Sequence, residues 1–373
     1  MRPRDGVAAD RVPVMCQLAL GHYFLHAPGG AIDIWHDSAA FASALLALCE
    51  RYGFDGVLVN LPGRNPSWRE EIRGVERAGA SARVTWSDGT VTLCPPDDNP
   101  HVVSALTGRP PLRPFAEVDP EQLHYIEPHD ARGVVNLGSF PPWHWDTLRL
   151  VRERAPEISV HGEVFSPLSQ FMELVGPMEG ALALALDAPK VHAILERLAA
   201  GAIELATGHI AAGADAILIS SAYAGAGFLS PGHYETFVLP RERALIDGIK
   251  AAHPTVPVYT HTCGAIADRL ELMAATGTDG IDTLDPPPLG NVDLADARRR
   301  LADRVFIKGN VDPVNTVLRG TAEDCYRDAR ARIAIAGPGG GYVLSTACSV
   351  PPHAPPANIA ALARAASDAG RVA

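Results

Sequence analysis

Val256-Pro257-Val258-Tyr259-Thr260-His261-Thr262-Cys263-Gly264 decides how the chain is read. Val256 to His261 is a short run rich in β-branched and aromatic residues, Ala265 to Thr276 behind it has helical spacing, and Asp279 to Leu284 is a second short apolar run. Together they form one strand, a crossover helix and a parallel strand. The unit repeats outward in both directions. Ile158 to Glu163 and Ala214 to Ser220 precede it, and Arg304 to Gly309 and Gly341 to Thr346 follow it. Helices are predicted over Pro189 to Ala212, Pro231 to Ala252 and Thr321 to Ala336. Two earlier runs, Val12 to Leu18 and Gly56 to Asn60, bring the strand count to eight. Eight alternating units predict an α/β fold, a closed (β/α)₈ barrel of the TIM type, as a single domain over residues 1–373.

One stretch breaks the rhythm. Over about 61–143, Ala82-Arg83-Val84-Thr85-Trp86, Ser87-Asp88-Gly89 and Thr90-Val91-Thr92-Leu93 read as a hairpin, followed by Pro-rich sequence. We expect an insertion of hairpin and loop over the barrel mouth. The net charge of -11, without a Lys/Arg run, argues against nucleic acid. Nothing approaches a membrane span of roughly 18 apolar residues, and Met1 to Gly6 opens no leader, so a cytoplasmic protein is expected. Six scattered cysteines read as reduced thiols, not a disulfide framework.

His261 and Cys263 close the fifth predicted strand, where the period of two points both side chains the same way. By chance, 14 His and 6 Cys in 373 residues give about 0.2 His-x-Cys pairs, so the pair alone decides little. Position decides more. Cys348, in Ser345-Thr346-Ala347-Cys348, follows the eighth strand, and chemistry in such barrels sits at the C-terminal strand ends. One imidazole and two sulfurs suit zinc, and three protein ligands leave a position open for a substrate. A thiolate-rich site takes another sulfur readily and holds it as an activated nucleophile, which suits alkyl transfer better than hydrolysis. Glu163 ends the third strand and Asp285 follows the sixth; each is a candidate fourth oxygen ligand or base, or else a helix cap or partner of an arginine. Tyr223 is a candidate for lining the mouth, and His353, shortly after Cys348, for touching substrate.

Beyond the barrel pattern, particular residues carry a resemblance. Gly213-Ala214-Asp215, Leu229-Ser230-Pro231 with Tyr234 and Phe237, His261-Thr262-Cys263-Gly264, Gly309-Asn310-Val311-Asp312-Pro313, Gly340 to Ser345 and Pro355-Pro356-Ala357-Asn358-Ile359 resemble the uroporphyrinogen decarboxylase superfamily. Asp10-Arg11-Val12-Pro13-Val14 adds to it near the start. The resemblance implies the same (β/α)₈ barrel. True porphyrinogen decarboxylases carry an Arg-Gln-Ala-Gly-Arg signature after the first strand; the matching stretch here is Cys16-Gln17-Leu18-Ala19-Leu20, which keeps Gln17 and lacks both arginines. A multiply carboxylated substrate would lose its charge partners. The methyltransferase branch, similar to methylcobamide:coenzyme M methyltransferase, carries His-x-Cys and a later Cys. It implies zinc on His261, Cys263 and Cys348, a small-molecule thiol or methyl donor, and a corrinoid (cobalamin) as substrate or on a partner protein, with Gln17 near substrate. Cobalamin-independent methionine synthase is similar but has Glu near the place of Asp285. A metal-free decarboxylase of a small carboxylate, or a zinc-thiolate enzyme making C–S bonds, stays open as the alternative, and a homodimer is compatible with the sequence.

Overall fold

The structure of the protein is a computed structural model that describes residues 10–103, 113–131 and 133–370; the opening stretch Met1 to Gly6 lies outside the described residues. Seven parallel strands hydrogen-bond in chain order: Gly56–Val59, Ser159–Phe165, Ala216–Ser220, Val258–His261, Gly280–Thr283, Phe306–Val311 and Tyr342–Thr346. The expected first strand is reduced to isolated bridges, Val14 with Leu344 and Leu18 with Val350. That segment still closes the barrel. Met15 N–H donates to the Leu344 carbonyl (3.0 Å) on one side, and Asp55 N–H to the Val14 carbonyl (2.9 Å) on the other. Pro13 has no N–H, which interrupts a regular ladder at this stave. The predicted α/β barrel is thus the fold, with eight staves and one of them only bridged.

Strand alternation sorts the side chains into two layers. Val57, Val160, Ile217, Val258, Ile281 and Ile307 join the main core between strands and helices. Met15, Leu58, Ala216, Leu218 and Tyr259, packed by Phe306 and Val343, form a separate cluster inside the barrel. The helical layer follows the expected positions with local departures. Ala188–Ala211 is capped by Asp187, whose side chain accepts from Lys190 N–H, and Ala322–Ala336 begins on a Thr321/Asp324 capping box. The helix expected from Pro231 opens into a π turn over Tyr234–Val238 before Leu239–Ala252, because Pro240 has no N–H to offer the preceding turn. Of the helix expected over Ala265 to Thr276, only Leu270–Ala274 is α-helical.

The expected hairpin is present as Ser81–Trp86 against Val91–Cys94. It belongs to a four-stranded antiparallel sheet with Ile72–Ala78 and His101–Val103, and a second hairpin joins Tyr125–Asp130 to Gly133–Leu137. The second hairpin sits at the C-terminal end of Ser159–Phe165. The Phe165 N–H donates to Tyr125 Oη (3.2 Å), and the His129 ring meets the Phe165 ring edge-on. Among the described residues no helix is long and apolar enough to cross a membrane.

Candidate metal centre

One step up from the apolar interior cluster, every stave presents a polar residue inward. Alternation places Gln17 above Met15, Asn60 above Leu58, Ser220 above Leu218, His261 above Tyr259, Lys308 above Phe306 and Ser345 above Val343. Glu163 and Asp282 hold the equivalent places on the remaining two staves. The site stands on this ring.

Two staves bring the proposed ligands together. His261 Nε2 lies 3.3 Å from Cys263 Sγ, which lies 3.5 Å from Cys348 Sγ. Among the described residues these three form a group of metal-binding side chains whose donor atoms all lie within 4.8 Å of one another. A tetrahedron drawn with zinc's ordinary bond lengths has N···S and S···S edges of about 3.6 and 3.8 Å. The two edges at Cys263, 3.3 and 3.5 Å, are within a few tenths of an ångström of those values and the third is no longer than 4.8 Å, so the residues fit the ion.

Charge is arranged around the trio. Direct cross-strand register aligns His261 with Asp282 and Asp282 with Lys308. Asp282 Oδ2 accepts from His261 Nδ1–H (3.2 Å) and from Lys308 Nζ (2.9 Å), while Oδ1 accepts from Thr283 N–H (2.8 Å). Asp282 and Lys308 are only 1% and 2% exposed, so each needs the other. Burial alone would raise the Asp282 pKa, yet Lys308 and His261 hold it below the usual carboxylate range. Burial likewise pulls on His261, but Asp282 and Cys348 outweigh it and lift its pKa to about 10. With Nδ1 committed to Asp282, Nε2 is the nitrogen left to bind a metal, the usual carboxylate–histidine arrangement behind a metal ligand. The hydrogen bond from Cys263 and the neighbouring His261 hold the Cys348 thiol well below its ordinary value, while the same contact and burial push Cys263 up.

The other predicted residues fall at different distances from this centre. Asp285 is buried at the rim, its Oδ2 accepting from Gly264 N–H (2.6 Å); burial lifts its pKa to about 6. Glu163 is 9% exposed, and burial lifts it to about 7 against the pull of His261 and Ser220. Neither belongs to the close donor group. Gln17 Oε1 is buried without a partner among the described residues. Tyr223 donates its hydroxyl to Glu173 (2.8 Å), and the exposed His353 pairs with Asp97 (2.7 Å), so both side chains are already engaged. The sequence reading missed Asp282 and Lys308. Their signal is an acid in Gly280–Thr283 and a lysine in Phe306–Val311, each directly after an isoleucine in a short buried strand.

Known proteins agree with this architecture. Residues 105–369, more than half the chain, match the uroporphyrinogen decarboxylase (URO-D) family. A uroporphyrinogen decarboxylase of Chlorobium phaeovibrioides is 29% identical over 77% of this chain and 80% of the relative. One from Thioalkalivibrio sulfidiphilus is 32% identical over 60% and 64% respectively. Among solved structures, a methyltransferase from Methanosarcina mazei superposes with a TM-score of 0.70 at 19% identity, over 97% of this chain and 95% of that one. A B12-independent methionine synthase of a Shewanella species, in complex with selenomethionine, gives 0.56 at 14% identity, over 96% and 98%. At such identities the two structures share the fold. With the sequence match spanning the metal-ligand candidates and the last six staves of the barrel, the chain belongs to the uroporphyrinogen decarboxylase family.

Proposed function

We propose that this protein is a zinc-dependent methyltransferase that binds a thiol for methyl transfer to or from a corrinoid. The observation that carries the reading is the convergence of His261, Cys263 and Cys348 on one rim, backed by Asp282 and Lys308. When bound, zinc supplies a position at which a thiol is held as thiolate at neutral pH. Around it the chain's own residues orient and protect. His261 Nε2 and the two sulfurs would hold the ion, Asp282 fixes the imidazole, and Lys308 keeps Asp282 charged. Asp285, with its raised pKa, takes the thiol proton. In the direction of thiol methylation, a carbon–sulfur bond forms as the carbon–cobalt bond of the methylated corrinoid breaks and leaves its electron pair on cobalt. Gln17, Tyr223 and His353 remain candidates for contacts with substrate, and a corrinoid protein docking at the mouth is part of the proposal.

Zinc analysis of the purified protein tests it. Metal-sufficient expression should give about one zinc per chain and Cys263→Ala almost none, with methyl transfer between methylcobalamin and a panel of thiols lost in step. Wild-type protein without zinc would overturn the reading. The curated relatives, named as decarboxylases, favour a second reading, a metal-free decarboxylase of a small carboxylate. Chelation separates the two, since a decarboxylase keeps its activity. A zinc-thiolate enzyme forming another C–S bond would keep the metal and lack the methylcobalamin reaction.

A further inference from the structure

The polar ring divides into two halves. On the side of His261, Asp282 and Lys308 the groups satisfy one another. On the other side, Gln17 Oε1 and Asn60 Oδ1 are buried without a partner among the described residues. Ser345, 1% exposed and on the stave next to Gln17, has a hydroxyl that is open among the described residues but for the neighbouring Cys16 thiol. Glu163 stands next to Asn60, because the register of the two strands pairs Val57 with Val160 and Leu58 with His161 and so continues to Asn60 and Glu163. Buried polar atoms left open cost roughly 1–3 kcal/mol each, so a run of them on neighbouring staves facing one mouth marks a ligand's place.

The charges say what kind of ligand. With His261 Nε2 given to the metal, the ring's remaining cation is Lys308, which Asp282 neutralises, so the Glu163 carboxyl, beside Ser220 and His261, has no ion-pair partner among the described residues. Above it, Glu127 and Asp130 face the buried guanidinium of Arg64, so that cation is matched as well. Asp285 adds a further acid at the rim. Two cysteine thiolates would cancel the charge of a divalent ion, and a thiolate substrate would make the centre anionic. A sulfonate or carboxylate tail would meet uncompensated acid in a low dielectric, whereas an ammonium would meet Glu163 and three acceptor oxygens.

Resting on the zinc–thiol reading, we propose that the substrate is an aminothiol: its sulfur goes to the metal position and its primary ammonium, across a short alkyl spacer, to Glu163, Asn60 and Gln17. Glu163 is then a specificity-determining residue that touches the substrate's head group. The arrangement differs from what the coenzyme M resemblance implies, because that thiol ends in a sulfonate.

Cobalt(II)-substituted protein titrated with cysteamine, mercaptoethanol and mercaptoethanesulfonate reads this directly, since the thiolate-to-cobalt absorption band reports sulfur binding without turnover. The three probes share one spacer and differ in head-group charge. Cysteamine should bind about tenfold more tightly than mercaptoethanol, and mercaptoethanesulfonate about tenfold more weakly. Glu163→Gln should bring the cysteamine-to-mercaptoethanol ratio to about one. Asn60→Asp, which adds an acid beside Glu163, should widen the ratio and keeps the test informative if the first variant folds poorly. Equal affinities for the three thiols, or a preference for the sulfonate, would overturn the head-group assignment while leaving the zinc–thiol reading intact. No change in the band with any thiol would overturn both.

Discussion

The two ends of the barrel handle their polar atoms in opposite ways. At the N-terminal end an acid stands one residue ahead of three strands, and each is closed twice. Asp55, Asp215 and Asp279 accept the backbone N–H of Val14 (2.7 Å), Val160 (3.0 Å) and Val258 (2.7 Å) from the preceding stave. The same carboxylates pair with Arg11, Arg152 and Lys250. Each clamp ties a stave to its neighbour, and the fourth pair uses Arg298 on the carbonyls of Pro338 (3.2 Å) and Gly340 (2.8 Å) instead. At the C-terminal end, Gln17, Asn60 and Ser345 keep open atoms, and sulfurs crowd against an imidazole. The closed end stabilises the barrel. The open end holds chemistry at some cost in stability, as barrel enzymes do.

The hardest test of that division is removal of a sulfur. Cys348→Ala should abolish stoichiometric zinc and lower methyl transfer by about three orders of magnitude, with little change in the thermal midpoint of the metal-free protein. A variant that unfolds without metal would make the C-terminal end structural too. Next comes the support behind the ligand. Asp282→Ala strips His261 of its partner and leaves Lys308 buried and unpaired, so we expect about 10–100-fold weaker zinc binding together with about 3–5 kcal/mol of lost stability. Adding Lys308→Met should return most of the stability and none of the zinc affinity, as chelator competition beside urea unfolding would show. Recovery of both would mean that Asp282 serves only the fold.

A smaller effect is a pH dependence specific to the open end. Glu127 is a buried residue of the second hairpin, its Oε1 accepting from His129 N–H (3.0 Å), and burial lifts its pKa to about 7. A carboxyl whose pKa is higher folded than unfolded favours the fold while protonated. Its contribution is complete below the unfolded value and is lost as pH rises to the folded value. Between about pH 4.5 and 7 the loss amounts to about 3 kcal/mol. Glu127→Gln should therefore gain stability relative to wild type across that window and hold the gain above it. Equal slopes for the two proteins in urea midpoints at pH 5 and 8 would contradict the assignment.

Local chemistry made much of this legible in the sequence. The strands around Ile217, Val258 and Ile281 stood out because both their faces are buried, and His261 with Cys263 because alternation puts both side chains on one side of the strand. Cys348 needed the fold: only the barrel's closure brings the eighth stave round to the fifth. Register hid the rest. Asp282 looks like a strand polar residue until its alignment with His261 and Lys308 is known; Gln17 and Glu163 stood out singly, but their place in one ring with Asn60 and Ser345 comes from staves scattered along the chain. The strand expected at Val12 to Leu18 reads as apolar alternation, but Pro13 limits its ladder to bridges. The strands Ile72–Ala78 and His101–Val103 escaped notice because the first is almost wholly exposed and the second is only three residues long.

The smallest expected effect lies at the closed end. Asp279→Ala deletes a bond to the buried Val258 N–H and frees Lys250, but the acid and the lysine are both partly solvated, so it should cost about 1–2 kcal/mol and leave zinc stoichiometry and thiol affinity unchanged. Loss of metal in that variant would show that the two ends are coupled through the short strand Val258–His261, whose far end carries the first ligand. The reverse experiment asks whether the fourth clamp lacks its acid for want of selection or for want of room. Gly341 occupies the position of the missing aspartate, one residue ahead of Tyr342–Thr346, and its backbone lies at φ 71. An L residue is strained there by about 1 kcal/mol. Gly341→Asp should therefore destabilise the protein despite the nearby Arg298 guanidinium. A gain in thermal midpoint would mean that the turn can relax and that the clamp, not the glycine conformation, governs this edge of the barrel.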